Sequence, residues 1–512
     1  MTRNLSTRPD AHDDAEHDPS IALENSLNGV AVDLLHLSES NQSAQKVADY
    51  LSERKLGITD FVGAVVNGHS DAAVDAASQC IKAIVKSVGI SNVGENGLLT
   101  EGLAHPLPRV KLLVLRLLQQ EEGNIELKLR LAPLIIDCLE SDDLRVATAA
   151  STLITSLSSA ALPALLTEEV VSQLTSLFES SKDTVSLRIT ELIISIATTN
   201  PSQTFPSLET SGLLDTVLLD PLDSRDILAR LNTLQLLTQL PKSPEGFQLL
   251  ERTGILRRVA GYMHPPPDNV DLDTQLSQSA AIKFYAQAAL VRSDALEIME
   301  DTHAFLATLQ MLLTSEDTQA SWEVREVCLN AVGNVGSSLA GLSLLLRSFP
   351  TLLDVLAETA AYGTGLLRVT AVQCLSIVLE NESGSSEDVE AGATCLRLFD
   401  KMGGSTRVLA MIKGFDDALR VAGYACMKAA VKYEWGLRAV RESGQLVAFL
   451  FDRSNETSQV GMHWRFTVIE SIATNVSAKN VLPEVLYHRF VKYAKEGAFY
   501  SESQPQVMMD SL

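Results

Sequence analysis

The feature that most constrains this chain is a repeat. Three segments begin with Leu-Arg-Val: LRVATAASTLITSL at Leu144, LRVTAVQCLSIVL at Leu367 and LRVAGYACMKAAV at Leu419. With the basic residue as anchor, related stretches start at Arg145, Arg188, Arg230, Lys283, Arg325, Arg368, Arg420 and Arg465. The intervals are 43, 42, 53, 42, 43, 52 and 45 residues. The two long intervals contain visible inserts. One holds three consecutive prolines within 264–268, which forbid helix, and the other a polar stretch at 381–388.

Each anchor opens a helical pattern. The fourth residue on is apolar or small at Ala149, Leu192, Leu234, Leu329, Val372, Tyr424 and Ile469, with Gln287 the exception. Another apolar residue follows at plus seven or eight: Leu153, Ile196, Leu237, Leu290, Val332, Leu375, Met427 and Ile472. That spacing places both on one helix face. No stretch alternates with period two between turn signals, so strands are not expected. A second element recurs as hydroxyl-Gly-x-Leu at 211–214, 253–256 and 443–446. Its glycine suits a position between helices and its Ser or Thr a cap. Each unit therefore reads as a helix, a turn and a second helix. Neither helix can bury its apolar face alone, so units must stack. Helical patterns at 21–37, 44–66 and 72–88 precede an early anchor at Arg109.

HEAT and armadillo units run about 40–47 residues. The expected fold is all-α, a HEAT/armadillo-like α-solenoid of roughly ten helical repeats forming a curved superhelix over 20–500. Insertions are expected near 264–275 and 381–390, with a disordered acidic tail at 1–19 and a flexible tail at 501–512.

Composition and missing motifs narrow the function. The net charge is -23, whereas a nucleic-acid binder needs a basic footprint and an anionic membrane would repel the chain. No uninterrupted apolar run approaches the ~18 residues that span a bilayer, and the acidic N-terminus carries no signal-peptide core. The six cysteines are scattered with no C-x-x-C, which reads as buried reduced thiols in the cytoplasm, with the nucleus as a second compartment. No P-loop, G-x-G-x-x-G or H-E-x-x-H is present. The serines between Gly336 and Gly341 have one residue too many for a nucleophile elbow. The nine histidines show no metal spacing. The pairs Asp142-Asp143 and Asp416-Asp417 read as helix caps, and the anchor arginines as structural pairs between repeats. The expectation is a protein that is not an enzyme, with no cofactor, no metal, no small-molecule substrate, no nucleic acid and no membrane, monomeric when free.

Exposed aromatics and cations are expected to gather in the C-terminal third, and Trp, Tyr and Arg favour interfaces. The candidate partner-binding residues are Lys428, Lys432, Tyr433, Trp464 and Arg465. Trp435 and Trp464 fit core and interface equally, and Tyr487, Tyr493, Phe499 and Tyr500 follow.

Five stretches carry a family resemblance: DTVSLRITELIISI (183–196), SGLLDTVL (211–218), LLERTGILRRV (249–259), WGLRAVRESGQLVAFLFDRS (435–454) and KEGAFYSESQPQV (495–507). In order, from about 110 to 505, they resemble the 26S proteasome non-ATPase regulatory subunit 5 family. The resemblance implies a HEAT/armadillo solenoid that acts as an assembly chaperone for the base of the proteasome regulatory particle. Its members bind C-terminal domains of proteasomal ATPase subunits, keep the base off the core particle until it is complete, and are absent from the mature proteasome. No contact residue carries over, and the acidic tail and the 381–388 insert depart from the family pattern. The alternative is an armadillo-type scaffold or transport adaptor. Against a transport receptor, Trp322, Trp435 and Trp464 are followed four residues on by Glu326, Ala439 and Val468, so a Trp-x-x-x-Asn ladder is missing.

Overall fold

The computed structural model describes residues 19–39, 43–67, 71–90, 98–121, 123–180, 183–265, 271–314, 320–381 and 389–500. The tails expected at 1–19 and 501–512 lie outside them except for Pro19, as do 266–270 and 382–388 of the two expected inserts. Among the described residues the chain forms about 30 helices and no strand. It divides into two compact units, Met1–Pro221 and Leu222–Leu512.

In the second unit, six anchored helices form a ladder: Ile227–Leu237, Leu272–Val291, Trp322–Gly336, Gly365–Leu379, Asp417–Ala430 and Gln459–Thr474. Each packs against the next. Cross-ladder bonds keep one offset. Thr370 Oγ1 donates to Glu326 Oε1 at 3.3 Å, and Cys374 Sγ to Asn330 Oδ1 at 3.4 Å, each spanning 44 residues. Neighbouring ladder helices therefore run in the same direction, side by side. In the first unit Pro108–Gln120, Leu144–Leu165 and Asp183–Thr199 pack in the same succession. Ahead of them Pro19–Ser38 lies along Asp71–Val88. The pattern read as continuous over 44–66 is two helices, Ser43–Arg54 and Ile58–Asn67, parted where Lys55 turns left-handed (φ 54°).

The repeat has one helix more than expected. After Trp322–Gly336 come Leu339–Ser348 and Pro350–Tyr362; after Asp417–Ala430 come Glu434–Glu442 and Gly444–Phe451. The hydroxyl-Gly motif sits between the second and third helices. Gly212 and Gly254 are left-handed there (φ 76° and 72°), as is Gly403 (φ 107°). Ala304 holds the same place between Leu296–His303 and Phe305–Thr314 with φ 51°, without a glycine. Ser443 instead acts as a plain cap, its Oγ accepting from the Leu446 N–H at 3.3 Å.

The register at Lys283 is one residue off. Ile282, Ala286 and Ala289 are buried where Arg325, Leu329 and Val332 stand one repeat later, whereas Lys283 and Leu290 face outward. Ile282 is thus the true equivalent, and the Gln287 exception disappears.

Three glycines recur at intervals of 95 residues, two repeats apart: Gly246, Gly341 and Gly436. A Cβ there would lie 2.1, 1.9 and 1.9 Å from the carbonyl oxygens of Leu240, Val335 and Ala430 respectively. The second helix of these repeats crosses the carbonyl end of its ladder helix, or at Gly246 the turn Leu240–Lys242 just after it, too closely for any side chain. Gly392, which follows the 382–388 insert, meets nothing within 4 Å.

The helix Leu144–Leu165 has a window of mean hydropathy 1.2, apolar and long enough for a bilayer by that measure, which qualifies the sequence expectation. It is broken at Ala161 (φ -154°) and packs against the helices on either side, as a core helix does.

Candidate functional site

Five of the six ladder helices in the second unit start at carboxylate or hydroxyl caps, as the paired acids suggested, whereas Thr364 at the head of Gly365–Leu379 makes no such bond. Asp143 accepts from the Arg145 N–H at 2.9 Å, and Asp416 from the N–H groups of Ala418 and Leu419 at 2.9 and 3.1 Å. The anchor arginines have a structural role, but their partners are mostly backbone carbonyls at the turns rather than acids. Arg325 donates to Leu313 O at 3.0 Å, Arg368 to Ala360 O at 3.2 Å, and Arg188 to Leu139 O and Ser141 O at 2.9 and 2.8 Å. The last carbonyls of a helix have no intrahelical partner, and a guanidinium is a good donor for them. Two anchors pair with acids instead: the outward-facing Arg145 with Asp143 at 2.8 Å, and Arg420 with Asp417 at 2.8 Å.

Three of the five candidate residues meet at the carbonyl end of Gly365–Leu379. Lys428 and Lys432, one helical turn apart, both place Nζ 2.9 Å from Glu380 Oε1. The Tyr433 hydroxyl donates to Leu379 O at 2.9 Å. The two amines and the hydroxyl gather at the negative end of that helix. Burial alone would push the Glu380 carboxyl up, but hydrogen bonds from the two lysines bring it below its ordinary value. The Tyr433 ring stacks on Trp435 (centroids 5.1 Å apart), which leans on Phe399 at 5.2 Å. Asn475 closes the same turn, donating to Val431 O and Lys432 O at 2.9 and 3.0 Å. Beside Trp435, a groove of about 700 Å³ is lined by Phe399, Asp400, Arg438 and Glu442.

Arg465 does not join this cluster. Its side chain is 1% exposed and Nη1 donates to Asp452 O at 2.7 Å, at the level of Arg420 on the preceding ladder helix. There Glu456, also buried, accepts from the Tyr424 hydroxyl at 2.7 Å and faces Arg420 Nε at 3.5 Å. Arg465 is therefore an internal brace, a correction forced by the need of a buried guanidinium for acceptors. Trp464 is half-buried on the same helix. Tyr493 is buried beneath the Arg453 guanidinium, 3.7 Å from its ring centre, whereas Phe499 and Tyr500 stay exposed.

Sequence reading missed two features. Glu380, which organises the lysines, lies 48 residues from Lys428 and has no local signal. Gln235, Gln287, Asn330 and Gln373 occupy one equivalent outward position on four successive ladder helices. The corrected register alone makes that amide row visible. The six cysteines are buried and unbridged, and burial pushes the Cys328 and Cys374 thiols up to about 12.

Comparison with known proteins places this architecture. Structures of Kap121p (TM-score 0.53, 13% identity, 96% of this chain and 54% of that one) and of the Kap95:Nup1 complex (TM-score 0.55, 11% identity, 94% and 61%) share the fold. The chain spans about half the length of Kap121p. Relatives named 26S proteasome non-ATPase regulatory subunit 5 match from Mus musculus (25% identical; 78% of this chain, 80% of the relative) and Drosophila melanogaster (24%; 85% and 85%). The family model described as proteasome non-ATPase 26S subunit matches residues 25–511. A match that runs through both units, over residues 25–511, means that this chain belongs to the proteasome non-ATPase 26S subunit family.

Proposed function

We propose that this protein is an assembly chaperone of the proteasome regulatory particle base, not an enzyme. It holds C-terminal domains of proteasomal ATPase subunits and delays their docking on the core particle. The observation that carries this reading is the family match over residues 25–511. The surface chemistry supports it. A row of stacked helices offers an extended face to a folded domain. The outward line through Gln235, Gln287, Asn330 and Gln373 is polar and uncharged, which suits an interface that must release rather than a permanent apolar one. Lys428, Lys432, Tyr433 and Trp464 are the proposed contacts in the C-terminal repeats. With no nucleotide motif in the chain, release comes from competition by later-arriving subunits. The protein works in the cytoplasm, with the nucleus as a second compartment, and is a monomer when free.

Affinity purification from cells tests this. Recovery of regulatory-particle ATPase subunits without core-particle subunits is expected. Recovery of transport cargo or nuclear-pore proteins instead would favour the adaptor reading. Binding that survives removal of 390–512 would remove the C-terminal repeats from the interface.

A further inference from the structure

We propose that the outer stripe of the last described helix, Glu484–Glu496, is a docking surface, and that its occupant is an acidic amphipathic α-helix of a partner protein. The helix packs along Gln459–Thr474 and buries Phe490 and Tyr493, whose rings lie 4.7 and 6.0 Å from that of Phe451. Val485, His488, Lys492 and Lys495 are all exposed. They follow one another at intervals of three or four residues, which sets them on one stripe. Successive residues turn by about 100°, so this stripe lies opposite Phe490 and Tyr493. Arg489 flanks it, its guanidinium 4.3 Å from the Phe451 ring centre. Apolar groups mark both ends. Val485 at the start is 76% exposed, and Phe499 and Tyr500 just past the end are 63 and 44% exposed. A single exposed apolar residue needs no explanation. The outermost element of a repeat array, however, ordinarily turns a polar face to water, and three large apolar side chains beside one such stripe depart from that.

Charge chooses the occupant. Residues 428–500 carry ten Lys and Arg against seven Asp and Glu, whereas the whole chain carries 41 against 64. The sign of the chain is therefore reversed at this end. In and beside the last helix, Arg453, Lys479, Arg489, Lys492 and Lys495 stand against Asp452, Glu484 and Glu496. Of these acids, Glu496 is mostly covered and is held by Arg453 at 2.9 Å, with Lys492 further off at 3.8 Å. Glu484 meets His488 at 3.8 Å. Lys495 makes no ion pair among the described residues. The stripe is thus cationic along its middle and apolar at its ends, and its complement carries carboxylates centrally with an apolar residue at each end. Length supports a helix in that role. The 13 residues of Glu484–Glu496 span about 20 Å. A partner helix of three to four turns, packed at the usual distance of about 8–10 Å, matches the stripe from Val485 to Phe499. Such a long-range field also speeds the encounter with an acidic partner that the rest of this anionic chain would repel.

The test uses the full chain and a labelled three-heptad helical peptide of Leu and Glu, with a Lys-for-Glu counterpart, read by fluorescence anisotropy. The Glu peptide is expected to bind and the Lys peptide not. The K492E/K495E double variant should weaken binding at least tenfold. K242E/K283E, which makes the same change in net charge at exposed lysines elsewhere in the second unit, should leave it unchanged. V485S/F499S, which keeps every charge, should weaken it at least threefold. An unlabelled peptide of residues 501–512 should not displace the Glu peptide. Equal binding of the two peptides, equal loss in the two lysine variants, or full affinity in V485S/F499S would overturn the proposal. Displacement by the 501–512 peptide would overturn it too, by making the chain's own tail the occupant.

Discussion

Replacing Gly341 with alanine isolates the tightest feature of the repeat. The new Cβ would sit 1.9 Å from Val335 O and 2.8 Å from its carbonyl carbon, both backbone atoms with no rotamer to yield. Relief needs the second helix to move by more than about 1 Å, and overpacking of this kind costs about 1–3 kcal/mol. The move also stretches the cap in which Ser338 Oγ accepts the Gly341 N–H at 3.1 Å, a bond of about 1 kcal/mol. Against this, alanine gains about 1 kcal/mol of helix propensity over glycine. The net expectation is a loss of about 2 kcal/mol. Gly261, within the helix Ile255–Met263, meets nothing within 4 Å, so G261A should gain up to about 1 kcal/mol. The gap of about 3 kcal/mol is more than a hundredfold in an opening equilibrium. Hydrogen exchange reads the G341A loss across 322–362 and the G261A gain across 255–263, repeat by repeat, which suits an array whose unfolding need not be two-state. If G341A is protected as well as the wild type, the close-crossing argument is wrong.

Other positions give further tests. Ala304→Gly should raise the melting temperature, since alanine pays a left-handed penalty of about 1 kcal/mol that glycine does not. Glu380→Gln should cost less than about 1 kcal/mol, because the Glu380 side chain is 40% exposed. Its folded carboxyl is lowered below the ordinary value of 4.5, so this stability is present above that value and lost as pH falls through the folded one. Denaturation midpoints of wild type and E380Q should converge in acid and separate at neutral pH. Tyr424→Phe removes a hydrogen bond to the buried Glu456 carboxylate and should cost about 1–3 kcal/mol, measured by urea denaturation; a neutral result would show that Arg420 alone satisfies that carboxylate.

Much of the ladder was legible because burial repeats with the chain. The residues four after each anchor are buried wherever the anchor is a true equivalent. Lys283 misled because charge was used as the marker, and that repeat carries Ile282 in the place of the arginine. The third helix of each unit escaped notice because its left-handed joint is Gly254 in one repeat, Ala304 in another and Gly403 in a third, at uneven spacing. The crossing glycines recur only every second repeat, a period of 95 that a search near 43 passes over. The candidate surface was half legible. Lys428, Lys432 and Tyr433 do converge, but through Glu380, whose distance along the chain conceals it. Arg465 follows Trp464 and looked like an interface pair, yet helical geometry turns adjacent residues about 100° apart, leaving one half-buried and the other inside.

The most direct measurement is equilibrium binding of the purified full chain to each isolated C-terminal domain of the proteasomal ATPase subunits, with the assembled core particle as comparison. The account predicts saturable one-to-one binding to at least one ATPase domain, weakened by K428E/K432E, and none to the core particle. Absence of binding to every ATPase domain by a folded chain would contradict it.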